Sequence, residues 1–488
     1  MTPLQTLLYR VPLLEVVGDL SQPIRELQFD SRQVQPGDCF VALKGSATDG
    51  HQYIPAAVAQ GAVAVVCEVL PEHQRPGVTY LKVRSAAQAL GHLSANYFGN
   101  PTDHLSVVGV TGTNGKTTTV TLLYQLFAAL GFPVGLIGTV ESRVAGQVFP
   151  ATHTTPDPLQ LQRLFHAMVQ AGCSHAFMEV SSHAAHQHRI AGIRFSGGVF
   201  TNITHDHLDY HGTFANYLAA KQSFFDGLPS AAFALTNADD RNGRVMVQNT
   251  RARTASYALK TPADYKARLL EQQLGGLLLE IDGTEVWCRL SGAFNAANLM
   301  AVYGAARLLG LGKEEVLVHL SEIRGAEGRF EVFPLAGGVT GIVDYAHTPD
   351  ALENLLRTVR ATVTTGGEIL VVFGCGGDRD AAKRPEMGSI AAHLADRVIL
   401  TSDNPRSEDP QAILDAIDGG IPISHRHKRL TIADRREAIR TAGALARPGD
   451  VIVVAGKGHE TYQIIGNQRL PFDDRQELLQ AFAERPTT

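Results

Sequence analysis

The sequence predicts an α/β protein of three successive domains, and three observations carry that expectation. The chain has 488 residues, and at roughly 150 residues per domain this length suggests about three. Short aliphatic and β-branched runs alternate with helix-length segments, the pattern of strands joined by crossover helices. Gly99-Asn100-Pro101 is a breaker cluster, and a third strand–helix series follows Phe333, so the expected divisions are 1–102, 103–333 and 334–488.

Within the first division, residues 24–29, 39–43, 62–66 and 78–83 read as strands, and 53–60 and 86–97 as helices. The second opens with a short buried-strand candidate at 105–110, a glycine-rich turn and an apolar helix at 117–130. Further strands are expected at 134–137, 176–180 and 198–202, giving a mostly parallel sheet with helices on its faces. Asp282-Gly283 between the apolar runs 277–281 and 285–290 marks a hairpin. In the third division, strands are expected at 341–345, 369–373, 397–401 and 450–455, with helices at 351–360 and 432–446.

Composition narrows the function classes. Hydrophobic residues make up 44% and charged residues 19%, which is ordinary for a globular protein. A net charge of -5 argues against bulk binding to a nucleic-acid backbone. No apolar run reaches the roughly 18 residues of a membrane span, and Met1-Thr2-Pro3-Leu4-Gln5 lacks the basic start of a signal peptide. Five scattered cysteines with no CxxC pair point to a cytosolic protein without a disulfide framework.

The first chemical motif is Thr111-Gly112-Thr113-Asn114-Gly115-Lys116-Thr117-Thr118, placed between a strand and a helix. Glycines let successive N–H groups turn inward around phosphate oxygens, and the helix N-terminus adds its positive end. Lys116 can reach the β- and γ-phosphates, and Thr117 can hold Mg²⁺. The stricter spacing has glycine where Val110 stands, so this is a compact variant.

The second motif is a histidine and carboxylate cluster. Glu179 ends a strand and precedes Ser181, Ser182, His183, His186, Gln187, His188 and Arg189; Asn202, Thr204, His205, Asp206, His207, Asp209 and His211 follow the next strand. Ligands of parallel sheets bind at the carboxyl ends of strands, so both segments can face the phosphate loop. Zinc is a minority reading, because the histidines lack its usual spacing and no cysteine joins them. Magnesium beside nucleotide phosphates needs fewer protein ligands and fits better. Glu179 and His207 are the functional candidates here; His183, His186, His205 and His211 are read as supporting or surface residues.

Together the motifs resemble the Mur ligases, ATP-dependent amide-forming enzymes of peptidoglycan precursor synthesis. The resemblance covers essentially the whole chain. It rests on 111–118, 178–183, 206–212, 291–298, 328–331, 344–349 (Asp-Tyr-Ala-His-Thr-Pro) and 456–460 (Gly-Lys-Gly-His-Glu). It implies an N-terminal domain holding the UDP end of the substrate, a central P-loop ATPase and a C-terminal Rossmann-like domain. It also implies that Gly112 through Thr118, Asn295, Arg329 and Asp344 bind ATP, with the C-terminal domain closing on the nucleotide. Asn295 and Asn298 could equally cap their helix.

By the same resemblance Ser31, Thr154, Thr155, Ser181, Gln187 and Arg189 hold the UDP-sugar peptide. His153 stands where the family often has Asn, and the loop Ser46-Ala47-Thr48 departs from its relatives. Lys221 matches a lysine that CO₂ converts to a carbamate. The resulting anion, with Thr117, Glu179 and His207, is expected to hold Mg²⁺.

Members that add the third stem-peptide residue take either meso-diaminopimelate or lysine, which differ by one distal carboxylate. Asp403-Asn404-Pro405-Arg406 and Arg379 resemble the diaminopimelate-adding pattern, with Gly456 and Glu460 completing the site. A guanidinium grips a carboxylate through two parallel hydrogen bonds, and it disfavours lysine, which has none.

The expected substrates are UDP-N-acetylmuramoyl-L-alanyl-D-glutamate, meso-diaminopimelate and ATP, with Mg²⁺. A monomer, with no nucleic-acid or membrane partner, is expected. Rival readings are a lysine-adding ligase, a folylpolyglutamate synthetase-like ligase and a nucleotide-hydrolysing switch.

Overall fold

The computed structural model describes residues 1–45, 48–151, 153–363 and 366–483, which leaves Ser46 and Ala47 of the departing loop outside the described residues. The expected three-domain α/β architecture is present as three large sheets. In the first, Thr79–Val83, Ala64–Cys67, Cys39–Val41 and Leu27–Gln28 run parallel, and Leu13–Val17 adds an antiparallel edge. The helix Ala86–Tyr97 starts where Ser85 accepts a hydrogen bond from the Gln88 N–H at 3.2 Å.

The single strand expected at 24–29 is two short ones. Pro23–Ile24 pairs with Thr2–Pro3, and Leu27–Gln28 joins the five-stranded sheet. Between them Arg25 turns aside to pair with buried Asp38 at 2.8 Å, so one apolar run serves two sheets.

The second sheet has eleven strands. Its parallel centre places Ser106–Thr111 between His175–Glu179 and Phe195–Phe200. From Ser106–Thr111 the chain crosses outward to Val134–Ile137, beyond His175–Glu179; from His175–Glu179 it crosses back to Phe195–Phe200. That reversal gathers the segments after these strands at one carboxyl edge. The Asp282-Gly283 hairpin forms as expected, with φ of 47° and 78° at the turn. A second hairpin, Glu141–Val144 with Gln147–Pro150, is built the same way around Ala145 and Gly146.

The third sheet orders Glu331–Leu335, Val339–Asp344, Val451–Ala455, Ile369–Phe373, Arg397–Leu400 and Arg429–Thr431. Only its first strand is antiparallel. That edge strand starts at Glu331, so the chain enters this sheet before residue 333. Among the described residues no helix is long and apolar enough to cross a membrane.

One buried ion pair locks the last helix onto this sheet. Both side chains of Arg435 and Asp474 are 0% exposed, joined by two bonds of 2.8 Å. Arg435 also donates to the carbonyls of Ala455 (3.0 Å) and Ser402 (3.4 Å), at the roots of two loops described below. Asp474→Ala leaves a buried guanidinium without its counter-charge, so a loss of about 3–5 kcal/mol is expected. Denaturant unfolding reads this directly, and an unchanged midpoint would refute it.

The first and second units meet at a glycine: a Cβ on Gly91 would sit 2.5 Å from Ala191 O. Arg163 and Glu26 add an ion pair at 2.9 Å between the first and second units.

Candidate active site

A cavity of about 400 Å³ lies between the carboxyl edge of the eleven-stranded sheet and the third unit. The glycine-rich loop forms its floor. A Cβ on Gly112 would lie 1.9 Å from Thr201 Oγ1, and one on Gly115 (φ 84°) would lie 2.4 Å from Asn298 Oδ1. No side chain fits at either position.

Not every loop amide turns inward, as the sequence reading expects. Thr113 N–H donates to Asn202 O at 2.8 Å, and Asn114 N–H to Asn202 Oδ1 at 2.9 Å, because the neighbouring strand delivers Asn202 against the loop. The donors left free to meet an anion are those of the first turn of Lys116–Ala129, whose N–H groups have no partner four residues back.

Two lysines converge on this loop. Lys116 Nζ donates to Gly112 O and Thr113 O, both at 2.8 Å. Lys221, brought in by the helix Phe214–Asp226, donates to the same Gly112 O at 2.7 Å and lies over the Tyr217 ring. Burial pushes both amines down, Lys221 well below the ordinary lysine value, and the neighbouring Lys116 charge pushes it further.

Glu179 stands opposite. Its Oε1 accepts from Thr117 Oγ1 at 3.0 Å and from Thr139 N–H at 2.7 Å, while its buried Oε2 has no hydrogen-bond partner. That orphaned carboxylate oxygen beside a hydroxyl suits a hard cation. Among the described residues, no three His, Cys, Asp or Glu side chains are grouped to hold a metal alone. The donors present suit Mg²⁺, which takes much of its shell from phosphate oxygens and water.

His207 lines the cavity with its side chain 41% exposed, and loss of water around the ring is the first cause pushing its imidazole down. His183, His186 and His211 pack around Tyr210, whereas the side chain of His205 is 65% exposed.

Thr154 and Ser181 also line the cavity, and a polar network runs outward from them. Thr155 Oγ1 donates to Glu179 O at 2.8 Å, Arg189 Nη1 to Thr155 O at 2.9 Å, and Arg189 Nη2 to Gln187 Oε1 at 2.7 Å. Ser31 opens the turn Ser31–Gln33 of the first unit, outside the cavity lining.

The third unit and the junction leading into it supply the opposite wall. Arg329 Nη2 donates to Thr117 Oγ1 at 3.1 Å, and its guanidinium lies over the Tyr345 ring at 4.2 Å. Asp344 accepts from Phe330 N–H at 2.6 Å, and burial raises its carboxyl. Asn295 does not line the cavity: its amide donates to Ser291 O at 2.7 Å and its oxygen accepts from Asn298 at 2.8 Å. Asn298 is the residue that reaches the cavity.

Sequence reasoning missed Tyr345, His347 and Asp350 on this wall. Asn114 Nδ2 donates to Asp350 Oδ2 at 3.0 Å across the two units. The signal was present, since Asp350 directly follows the Asp344–Pro349 motif and sits in the first turn of Pro349–Arg360.

A second group lies outside this cavity. Arg379 Cγ and Arg406 Nη1 both flank Gly376, at 3.8 and 2.9 Å from where its Cβ would be. Arg406 adopts a φ of 52° and donates from Nη1 to Gly377 O at 2.6 Å. Gly377 N–H donates to Asn404 O at 2.9 Å, and Ser407 Oγ to Asp378 Oδ1 at 2.7 Å, lacing the two loops together. Pro405 O packs against Gly377 so closely that a Cβ there would sit 1.9 Å away. Asp403 is buried against Gly456, and burial raises its carboxyl despite nearby Arg435 and Lys457. Asn404 Nδ2 donates to Glu460 Oε2 at 2.8 Å.

Comparison with known proteins agrees over the full length. Residues 23–98 match the Mur ligase family catalytic domain, 110–306 the Mur ligase middle domain and 328–458 the Mur ligase glutamate ligase domain. A UDP-N-acetylmuramoyl-L-alanyl-D-glutamate--2,6-diaminopimelate ligase of Cytophaga hutchinsonii is 53% identical, with 97% of each chain covered. The ligase of the same name from Phocaeicola vulgatus is 50% identical, over 98% of this chain and 99% of that one. A solved structure of a ligase of that name, 33% identical, covers 96% of this chain and 97% of its own, with a TM-score of 0.68.

Proposed function

The chain belongs to the Mur ligase family, and from that premise we infer that it joins meso-2,6-diaminopimelate to UDP-N-acetylmuramoyl-L-alanyl-D-glutamate at the expense of ATP. It is an amide-forming ligase of peptidoglycan synthesis. The choice of amino acid is carried by one observation: Arg379 and Arg406 flank Gly376, and Arg406 sits two residues from Asn404, which holds Glu460. The arginines suit the distal carboxylate, and Glu460 suits an ammonium of the same amino acid.

A glutamate carboxylate attacks the γ-phosphorus of ATP, forming an acyl phosphate and releasing ADP. The diaminopimelate amine then attacks the acyl carbon, and the tetrahedral species collapses to amide and phosphate. In the first step Lys116 and the first turn of its helix offset charge on the phosphates. Bound Mg²⁺, for which Thr117, Glu179, His207 and carbamylated Lys221 are the proposed ligands, supplies further charge neutralisation.

On this reading residues 1–102 hold the uridine end through Ser31, and Thr154, Thr155, Ser181, Gln187 and Arg189 steer the sugar peptide inward. Residues 103–333 hold the phosphates, with Gly112–Thr118 and Asn298. Residues 334–488 bring Asp344 and the amino-acid loops, with Arg329 at the junction. The enzyme works in the cytoplasm as a monomer, where its five buried free thiols remain reduced.

The test is mass-spectrometric product detection with ATP, Mg²⁺ and the UDP-linked dipeptide, offering diaminopimelate or L-lysine in parallel. Product with diaminopimelate alone is expected. Product with lysine instead would overturn the reading of the arginines, and phosphate release that ignores the amino acid would overturn the ligase.

A further inference from the structure

Lys457 is an ionisable side chain that the reaction above leaves without a task, although it is 0% exposed. A buried ammonium is costly unless its donors are satisfied. Its Nζ donates to Glu460 Oε2 at 2.9 Å and to Asn404 Oδ1 at 3.2 Å, and lies 5.4 Å from the centre of the Tyr462 ring. It therefore touches one residue from each of the two loops assigned to the amino acid.

The contacts are directional. Asn404 Oδ1 also accepts from Ile464 N–H at 2.9 Å, so both its donors fix the amide with oxygen inward and nitrogen toward Glu460. Glu460 Oε2 then receives two donors, from Lys457 and Asn404, and its Oε1 has no hydrogen bond among the described residues. A carboxylate with one oxygen doubly held and the other open is aimed to take a single incoming ammonium. Ile464 gives its N–H to Asn404 Oδ1 and accepts at its carbonyl from Arg406 N–H at 3.2 Å, so one residue ties the Asn404–Glu460 end of the proposed pocket to Arg406.

We propose that Lys457 is a positioning residue for amino-acid selection: it clamps Asn404 and Glu460 into one preorganised acceptor for the ammonium of the incoming diamino acid, without touching the reacting atoms. This rests on the ligase reading, since it needs the amino acid to bind at Glu460.

The test uses the full-length enzyme and the variants Lys457→Met, Glu460→Gln and their double. Lys457→Met is expected to raise KM for diaminopimelate about 10- to 100-fold, the weight of one or two charge-assisted hydrogen bonds. KM for ATP and for the UDP-linked dipeptide should stay within about threefold of wild type on the same argument, because neither ligand meets this clamp. Positional isotope exchange in ATP, run with the dipeptide but no amino acid, should keep its wild-type rate and so verifies folding. In the double variant the KM effects should be far from additive, because Lys457 acts through Glu460. Additive effects, a parallel rise in all three KM values, or an unchanged KM for diaminopimelate would overturn the proposal. If Lys457→Met does not fold, Lys457→Gln, which keeps a donor, carries the same comparison. Wild-type enzyme that makes no product would instead overturn the ligase reading.

Discussion

Lys221→Ala is expected to lower ligase activity about 10²- to 10³-fold, the size of losing one preorganised electrostatic group, and a small carboxylic acid such as acetate should restore part of it. The reason lies in the loop. Two amines, Lys116 and Lys221, donate to one carbonyl oxygen, that of Gly112. Two ammonium charges that close repel strongly out of water, and burial with the Lys116 charge drives Lys221 toward the neutral amine. That neutral form is the one able to attack CO₂, forming an N–C bond and releasing a proton to give the carbamate. The product is an anion beside the Lys116 cation, so the repulsive pair becomes an attractive one. Phosphate release under varied bicarbonate checks the wild type, and full activity in the alanine variant would remove Lys221 from the mechanism.

The second large effect is expected at Arg406. Arg406→Ala should reduce kcat/KM for diaminopimelate about 100-fold, the equivalent of one strong charge-assisted contact, while kcat/KM for L-lysine holds or rises. Arg406 is held in place before substrate arrives: its carbonyl accepts from Gly466 N–H at 2.8 Å and its N–H donates to Ile464 O at 3.2 Å. The left-handed backbone at this residue is maintained by those contacts. A guanidinium so fixed loses little freedom on binding a carboxylate. An equal fall for both amino acids would mean that the substitution damages the loop rather than its selectivity.

Much of the fold could be read because short-range pattern decides it. The helix Ala86–Tyr97 and the strands Val134–Ile137 and Ile369–Phe373 lie where apolar periodicity and flanking breakers put them. The hairpin Glu141–Pro150 was not legible, because polar residues interrupt its two strands. The split at Arg25 and Glu26 depends on Asp38, a partner that no local window contains.

The site divides in the same way. The phosphate loop is contiguous and carries its own signature. Asn114 with Asp350 and Thr117 with Arg329 are pairs separated by more than two hundred residues, and only the packing of two sheets makes them neighbours. The resemblance puts Asn295 at the nucleotide, and the sequence leaves both Asn295 and Asn298 open to a nucleotide contact or a helix cap. In three dimensions one faces the helix start and the other the cavity.

The cavity has one wall on each of two separately built cores, one around Val110, Leu123 and Leu299 and the other around Ile342, Leu355 and Val453. Chemically this makes the site a chelate with two arms. The first arm carries the phosphate loop and the second carries Asp344, Tyr345 and His347, and the short connection between the helix Lys313–Leu320 and the strand Glu331–Leu335 keeps the second arm at high effective concentration near the first. The strength of anything that bridges the two arms therefore depends on that tether as well as on the groups that touch it.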